Sequence, residues 1–198
     1  MRRDAIVEVA RRSFFERGYA GTTMSGIASE LGGSKGTLWS YFASKELLFA
    51  AVVDNAGEAF RERQIDILVP ESDVPEALGR FAVEFLRRIV APDAIALCQL
   101  VVSEAPRFPE LGEIVQERLV GITRHMLGAY IAEAMARGRL RGADSWIAAQ
   151  HLVGMCMAGC HQRLLFGQPE GITEAAIADE AAAAVGAFLR AYAPDPIA

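Results

Sequence analysis

Cysteine and histidine are scarce in this chain, with three of each among 198 residues. An odd, sparse cysteine set (Cys98, Cys156, Cys160) builds no disulfide framework and fits a reducing compartment. Long apolar runs are missing as well. The longest uncharged stretch, Ser145 to Gln162, carries Gln150, His151, His161 and several glycines, which is too polar for a membrane span. In "MRRDAIVEVARRSF" the apolar residues are interrupted by Glu8 and Arg11, so no secretory signal is expected and the chain should be soluble and cytoplasmic. There is no internal repeat and no flexible linker. A composition 52% hydrophobic and 23% charged excludes a disordered or low-complexity polypeptide.

An excess of basic charge is lacking too, since the net charge is −5. Its distribution is uneven. Residues 1–48 carry seven Lys/Arg against five Asp/Glu, a balance of +2, which leaves −7 on the remainder. A mildly basic head on an acidic body is the asymmetry expected when only the head approaches a polyanion.

What is present is helical periodicity. Ile6, Val9, Ala10 and Phe14 recur at i, i+3, i+4 and i+8, with charges between them, and Gly18 is placed to stop that helix. Thr23 can cap a second helix with Ile27, Ala28 and Leu31 inside. Gly32-Gly33 breaks the chain, and Ser34 can cap a third helix whose buried stripe is Leu38, Tyr41 and Phe42. Ser44 caps a long helix leading out of the head. Apolar spacing of three and four predicts further helices over Pro75–Ile89, Asp93–Glu104, Pro109–Arg137, Asp144–Phe166 and Thr173–Tyr192. Only "QIDILVP" alternates with period two, and one candidate strand makes no sheet. The expected fold class is all-α.

The segment Gly32-x-Ser34-x-Gly36 has the spacing of a hydrolase nucleophile elbow. An elbow needs a strand before the serine and a parallel sheet to carry a triad, whereas "IASEL" has a helical stripe and the chain offers no sheet. Two short helices about a glycine turn form a helix-turn-helix instead. Burying the stripe leaves Lys35, Gly36, Thr37, Trp39 and Ser40 outside, and the DNA major groove admits a helix whose N-terminal residues meet base edges. The helix N-termini at Thr23, Ser34 and Ser44 offer N–H groups to phosphate, and Lys45 adds a charge. The candidate DNA contacts are therefore Thr23, Ser25, Ser34, Lys35, Gly36, Thr37, Trp39, Ser40, Tyr41 and Lys45.

Residues 1–48, above all "GYAGTTMSGIASELGGSKGTLWSYFASKELLFAAVVD", resemble the DNA-binding head of the TetR family of transcriptional regulators. Two departures stand out: Gly33 replaces an apolar residue usual in the turn, and Trp39 stands where tyrosine is usual. "VVSEAPRFPELGEIVQERL", "GRLRGAD" and "FLRAY" resemble the C-terminal domain of AefR-like and AcrR-like members. The resemblance implies a three-helix DNA-binding domain over 1–48 and an effector-binding and dimerisation domain over 49–198. It also implies a homodimeric repressor, not an enzyme, that reads near-palindromic operator DNA and is released by a small, largely apolar effector. No cofactor, metal or membrane partner is expected.

Within the body, two helical faces offer small residues for close approach of a second copy: Ala148, Leu152, Cys156, Gly159 and Arg163 on one, and Ile177, Ala181, Ala184, Val185, Phe188 and Tyr192 on the other. The competing reading of both faces is ordinary core. An effector pocket is expected among Phe60, Phe81, Phe85, Leu100, Val101, Met126 and Trp146, with Glu104, His125 and Gln150 as polar groups. "HLVGMCMAGCHQR" sets Cys156 and Cys160 at i, i+4 beside His161, soft ligands that could bind metal or sense oxidation, although His161 points about a hundred degrees away from Cys160 on an ideal helix.

Overall fold

The computed structural model describes residues 2–32 and 35–194; the side chains of Arg2, Lys35, Thr37, Ala59, Phe60, Arg63 and Gln64 are not among the parts described. Among the described residues every regular element is helical: α1 (Arg2–Gly21), α2 (Met24–Glu30), α3 (Lys35–Tyr41), α4 (Lys45–Ile67), α5 (Val74–Ile89), α6 (Pro92–Glu104), α7 (Pro109–Val115), a π-helical turn (Gln116–Val120), α8 (Gly121–Ala136), α9 (Ser145–Met157), α10 (Cys160–Leu165) and α11 (Glu174–Tyr192). The alternating "QIDILVP" is no strand. Its first half completes α4, where the helix outweighs a period-two pattern too short to find a partner strand.

The chain forms two compact units, one of residues 1–58 and 96–120, the other of 59–95 and 121–198. Residues 49–58 and 96–120 thus group with the head, beyond the expected boundary at 48. In the first unit Ile6, Ala10, Phe14, Tyr19, Ile27, Leu38 and Phe42 share a core with Phe49, Val52 and Val53 of α4 and with Leu97, Leu100 and Leu111. Phe49 meets Phe14 and Tyr19 edge-on, with ring centroids 5.4 and 5.6 Å apart. Aromatic packing of this kind ties the first turns of α4 to α1.

In the second unit α5 buries Val74, Ala77, Leu78, Phe81, Ala82, Phe85 and Leu86, an uninterrupted three-four repeat. The helix begins where Asp73 accepts from the Glu76 N–H at 3.1 Å. α11 packs on α5 and α9, and α9 packs on α8. Phe188 of α11 is wholly buried and stacks on Tyr192 at 4.6 Å.

Two expected long helices are interrupted. Pro109–Arg137 contains the π-helical turn at 116–120, and Asp144–Phe166 breaks at Ala158–Gly159. The second break has a visible cause. Glu180 of α11 accepts from the Gly159 N–H at 3.1 Å and the Cys160 N–H at 2.7 Å, so a carboxylate from another helix starts α10. A Cβ on Gly159 would collide with that carboxylate unless Glu180 moved. Replacing Glu180 by alanine leaves two part-buried N–H groups without their acceptor and should cost about 1–3 kcal/mol in urea unfolding. Glutamine, which keeps one acceptor oxygen, should lose less. Equal unfolding midpoints for all three proteins would mean that water replaces the cap.

Candidate nucleic-acid interface

The head is assembled from capping and anchoring. Gly18 takes φ 72° inside α1, a left-handed conformation, and a Cβ there would meet Glu104 Oε1 at 2.6 Å. Beyond the kink, the Thr22 hydroxyl donates to Ser13 O at 2.9 Å or to Gly18 O at 2.8 Å, fastening the end of α1. Thr23 caps α2 by accepting from the Gly26 N–H at 3.1 Å. Ion pairing of Arg17 with Glu30 ties α1 to α2. Ser34, the expected cap of α3, lies outside the described residues.

In α3, Leu38 and Phe42 are buried at i and i+4. Tyr41 is not in that stripe. It is 46% exposed and joins Trp39, 42% exposed, with Gly36 and Ser40 on the outer face. The correction follows from geometry: a seven-residue helix anchored at two positions one turn apart turns the i+3 residue to the flank. The side chains of Lys35 and Thr37 are not described. Thr23 and Ser25 are exposed on the neighbouring α2. The outer face of a short, doubly anchored helix therefore presents two large aromatic side chains.

Lys45, expected to add a charge for phosphate, makes contacts within the head. Its ammonium donates to Tyr19 O at 2.8 Å and Thr22 O at 3.2 Å and stands 4.0 Å from the Tyr19 ring centroid. Phe108 lies 5.1 Å from the Tyr19 ring and 5.7 Å from the ammonium. Nearby, Glu104 accepts from the Ala20 N–H at 3.2 Å. Ser44 caps α4 by accepting from the Leu47 N–H at 3.2 Å. The Tyr19 phenol donates to Glu46 Oε1 at 3.2 Å; burial first, and then Glu46, holds its pKa well above the ordinary value. Glu46 is held below the usual carboxylate range, chiefly by the Ser44 hydroxyl. Glu104 and Phe108 were not legible as parts of the head, because their partners Tyr19, Ala20 and Lys45 lie more than sixty residues away in the chain.

The residues expected to line an effector pocket are divided between the units. Leu100 and Val101 pack in the first core, and Glu104 holds the end of α1. In the second unit Phe81 and Phe85 stack at 5.7 Å in the core, and His125 meets the half-exposed Trp146 at 5.3 Å. Met126 is partly buried, Gln150 is exposed, and the Phe60 side chain is not described. A groove of about 580 Å3 in this unit is lined by other residues: Asp66, Ile67, Gly79, Arg80, Val83, Glu84 and Arg87. Of the apolar residues expected at a cavity, Phe81, Phe85 and Leu100 are core residues and Val101 packs against a core.

The residues expected at the dimer faces also have places within the single chain. Ala148, Leu152 and Cys156 of α9, and Ile177, Ala181, Ala184, Val185, Phe188 and Tyr192 of α11, are buried within one chain. Gly159 sits at the helix break, and the exposed Arg163 donates to Glu170 O. Small residues at helical spacing let α5, α9 and α11 approach one another, so those faces are consumed by the fold. Cys156 belongs to the same core, and Cys160 is buried at the start of α10. Burial, with Glu180 nearby, pushes their thiols up to about 12 and about 11, and burial lowers the pKa of His161. Thiols held protonated in this way are poor nucleophiles and poor metal ligands at neutral pH.

Two family models match the chain: "Bacterial regulatory proteins, tetR family" over residues 6–52, and "AefR-like transcriptional repressor, C-terminal domain" over 76–194. The chain belongs to the TetR family. TetR-type regulators are DNA-binding proteins and not enzymes, which removes the hydrolase reading of Ser34. Among its relatives, the HTH-type transcriptional repressor ComR of Escherichia coli (strain K12) is 24% identical over 141 residues, 70% of this chain and 67% of that one. The HTH-type transcriptional repressor AcnR of Corynebacterium diphtheriae is 44% identical over 52 residues, 26% of this chain and 27% of the other. Of the solved structures, the flavonoid-responsive regulator FrrA superposes with a TM-score of 0.84 at 29% identity, covering 98% of both chains. No helix among the described residues is long and apolar enough to cross a membrane.

Proposed function

We propose that this TetR-family chain is a homodimeric repressor that reads a near-palindromic operator with α3 and is released by a small, largely apolar effector. The observation that carries the DNA reading is the outer face of α3, where Trp39, Ser40 and Tyr41 are held out by the buried anchors Leu38 and Phe42. Large exposed aromatics on a short helix gain little from water, whereas a groove wall and thymine methyl groups give them contact area.

Because the inner faces of α9 and α11 are used in the chain's own core, a second copy is assigned to their outer faces. There Ile147, Gln150, Gly154 and Ala158 line one side of the α9 end of the unit, and Ala175, Ala178, Ala182 and Ala183 line α11, all exposed. Two such pairs make a four-helix interface and give two-fold symmetry to the recognition helices. For the effector, the groove floor of Ile67, Gly79 and Val83, with charged side chains at the rim, suits a flat, mostly apolar molecule. The flavonoid response named for FrrA makes polyphenols the first class to screen. Since α4 contributes to both units, a displaced distal end carries to the head through one helix. A coupling of about 1–3 kcal/mol would lower operator affinity some five- to a hundred-fold.

The experiment is a footprint of the purified chain on DNA upstream of its own gene, across salt concentrations and against a shuffled control. Protection of a near-palindrome, lost on adding the effector, is the expected result. Equal, salt-labile binding to both DNAs would contradict operator readout.

A further inference from the structure

The lysine at the head of α4 is half-buried and turned back on its own chain. Its ammonium sits on the carbonyl oxygens of Tyr19 and Thr22, at 2.8 and 3.2 Å, with the Tyr19 ring centroid 4.0 Å away and that of Phe108, which meets Tyr19 edge-on at 5.1 Å, 5.7 Å away. Those carbonyls belong to the segment that joins α1 to α2, so the contact fixes where the helix-turn-helix begins relative to α4. Tyr19 is itself nearly fully buried, which rules out an easy swing of the ring away from the cation. Phe108 comes from the turn between α6 and α7, and Glu104 from the end of α6 holds the adjacent Ala20 N–H. Cation, two carbonyls, two rings and a carboxylate thus converge on four consecutive residues, 19–22.

We propose that Lys45 is a positioning residue that governs operator recognition from inside the head, by clamping residues 19–22 to the start of α4 with Phe108 packed beside Tyr19, rather than a phosphate contact. The inference rests on the operator-binding reading above but concerns a different thing: where this one charge is spent. A phosphate contact contributes about 0.9 to the slope of log affinity against log salt, and arginine serves a phosphate as well as lysine does or better. A clamp behaves otherwise. The compact ammonium donates along separate directions to two carbonyls while lying on a ring, and a planar guanidinium does not reproduce that arrangement.

The test uses the full-length chain with the substitutions Lys45→Met, Lys45→Arg and Phe108→Leu. Affinity for the footprinted operator and for a shuffled duplex is measured across salt, together with amide hydrogen exchange over residues 19–23 without DNA. The clamp predicts that both lysine variants lose about ten-fold or more in the operator-to-shuffled ratio, comparable to a lost base contact. The salt slope should stay at its wild-type value. Phe108→Leu, which changes no charge, should lose part of the same ratio. Exchange at Ala20 and Thr22 should accelerate in all three. Wild-type affinity for Lys45→Arg, or a slope reduced by about one in Lys45→Met alone, would overturn the clamp. So would unchanged exchange at 19–23. A chain that found no operator would defeat the DNA reading while the exchange measurement still decided the clamp, and Phe108→Leu keeps the question open to decision if a lysine variant does not fold.

Discussion

Replacing Phe188 by alanine should destabilise the second unit by about 3–5 kcal/mol, the range for deleting a buried phenylalanine and leaving a partly collapsed cavity. The ring is wholly buried, stacks on Tyr192, and lies in the core that α5, α9 and α11 build together. For a chain of this size the loss corresponds to a fall in melting temperature of roughly 6–20 °C. The contrasting substitution is Ala182→Arg on the exposed side of the same helix. It should leave melting of the isolated subunit within about 0.5 kcal/mol of wild type and abolish the dimer in sedimentation. If Phe188→Ala instead gave a stable monomer with unchanged unfolding, the buried face would have to be reassigned to the subunit interface.

Within α3, adjacent residues should fail for opposite reasons. Trp39→Ala removes an exposed side chain and should cost operator binding about 5- to 150-fold, the equivalent of 1–3 kcal/mol, with thermal unfolding unaltered. Leu38→Ala removes a side chain 1% exposed and should destabilise the head by about 2–5 kcal/mol, so that its loss of DNA binding is recovered on cooling or by raising the protein's stability. Binding isotherms and melting curves on the two proteins separate the cases. Were Trp39→Ala to bind the operator like wild type while Tyr41→Ala did not, the helix would meet the groove by its Tyr41 side rather than its Trp39 side.

Periodicity made most of this architecture legible. The buried set Ile6, Val9, Ala10 and Phe14, the caps Thr23 and Ser44, and the helices over α5 and α11 follow from local rules that a single helix obeys on its own. What escaped was decided by partners distant in sequence. The break at Gly159 depends on Glu180, the inward turn of Lys45 on two carbonyls of an earlier turn, and the place of Glu104 on the amide of Ala20. The burial of the expected dimer faces within one chain was hidden for a related reason. Alanine and glycine at helical spacing announce close helix approach without saying whose helix approaches, and here the neighbours are α5, α9 and α11 of the same chain.

The interleaving of the two units bears on how such a regulator can be made and rearranged. Residues 59–95 leave the ribosome before residues 96–120, yet it is the later segment that supplies Leu97, Leu100 and Leu111 to the first core. The N-terminal portion therefore waits, incomplete, for chain synthesised after much of another unit has emerged, and pays a long loop closure when it finally consolidates. A chimera that transplants only residues 1–58 onto a foreign body would carry that unfilled core with it. A graft that moves 1–58 together with 96–120 exchanges the whole cooperative block, and that is the segmentation along which operator preference should be transferable between relatives.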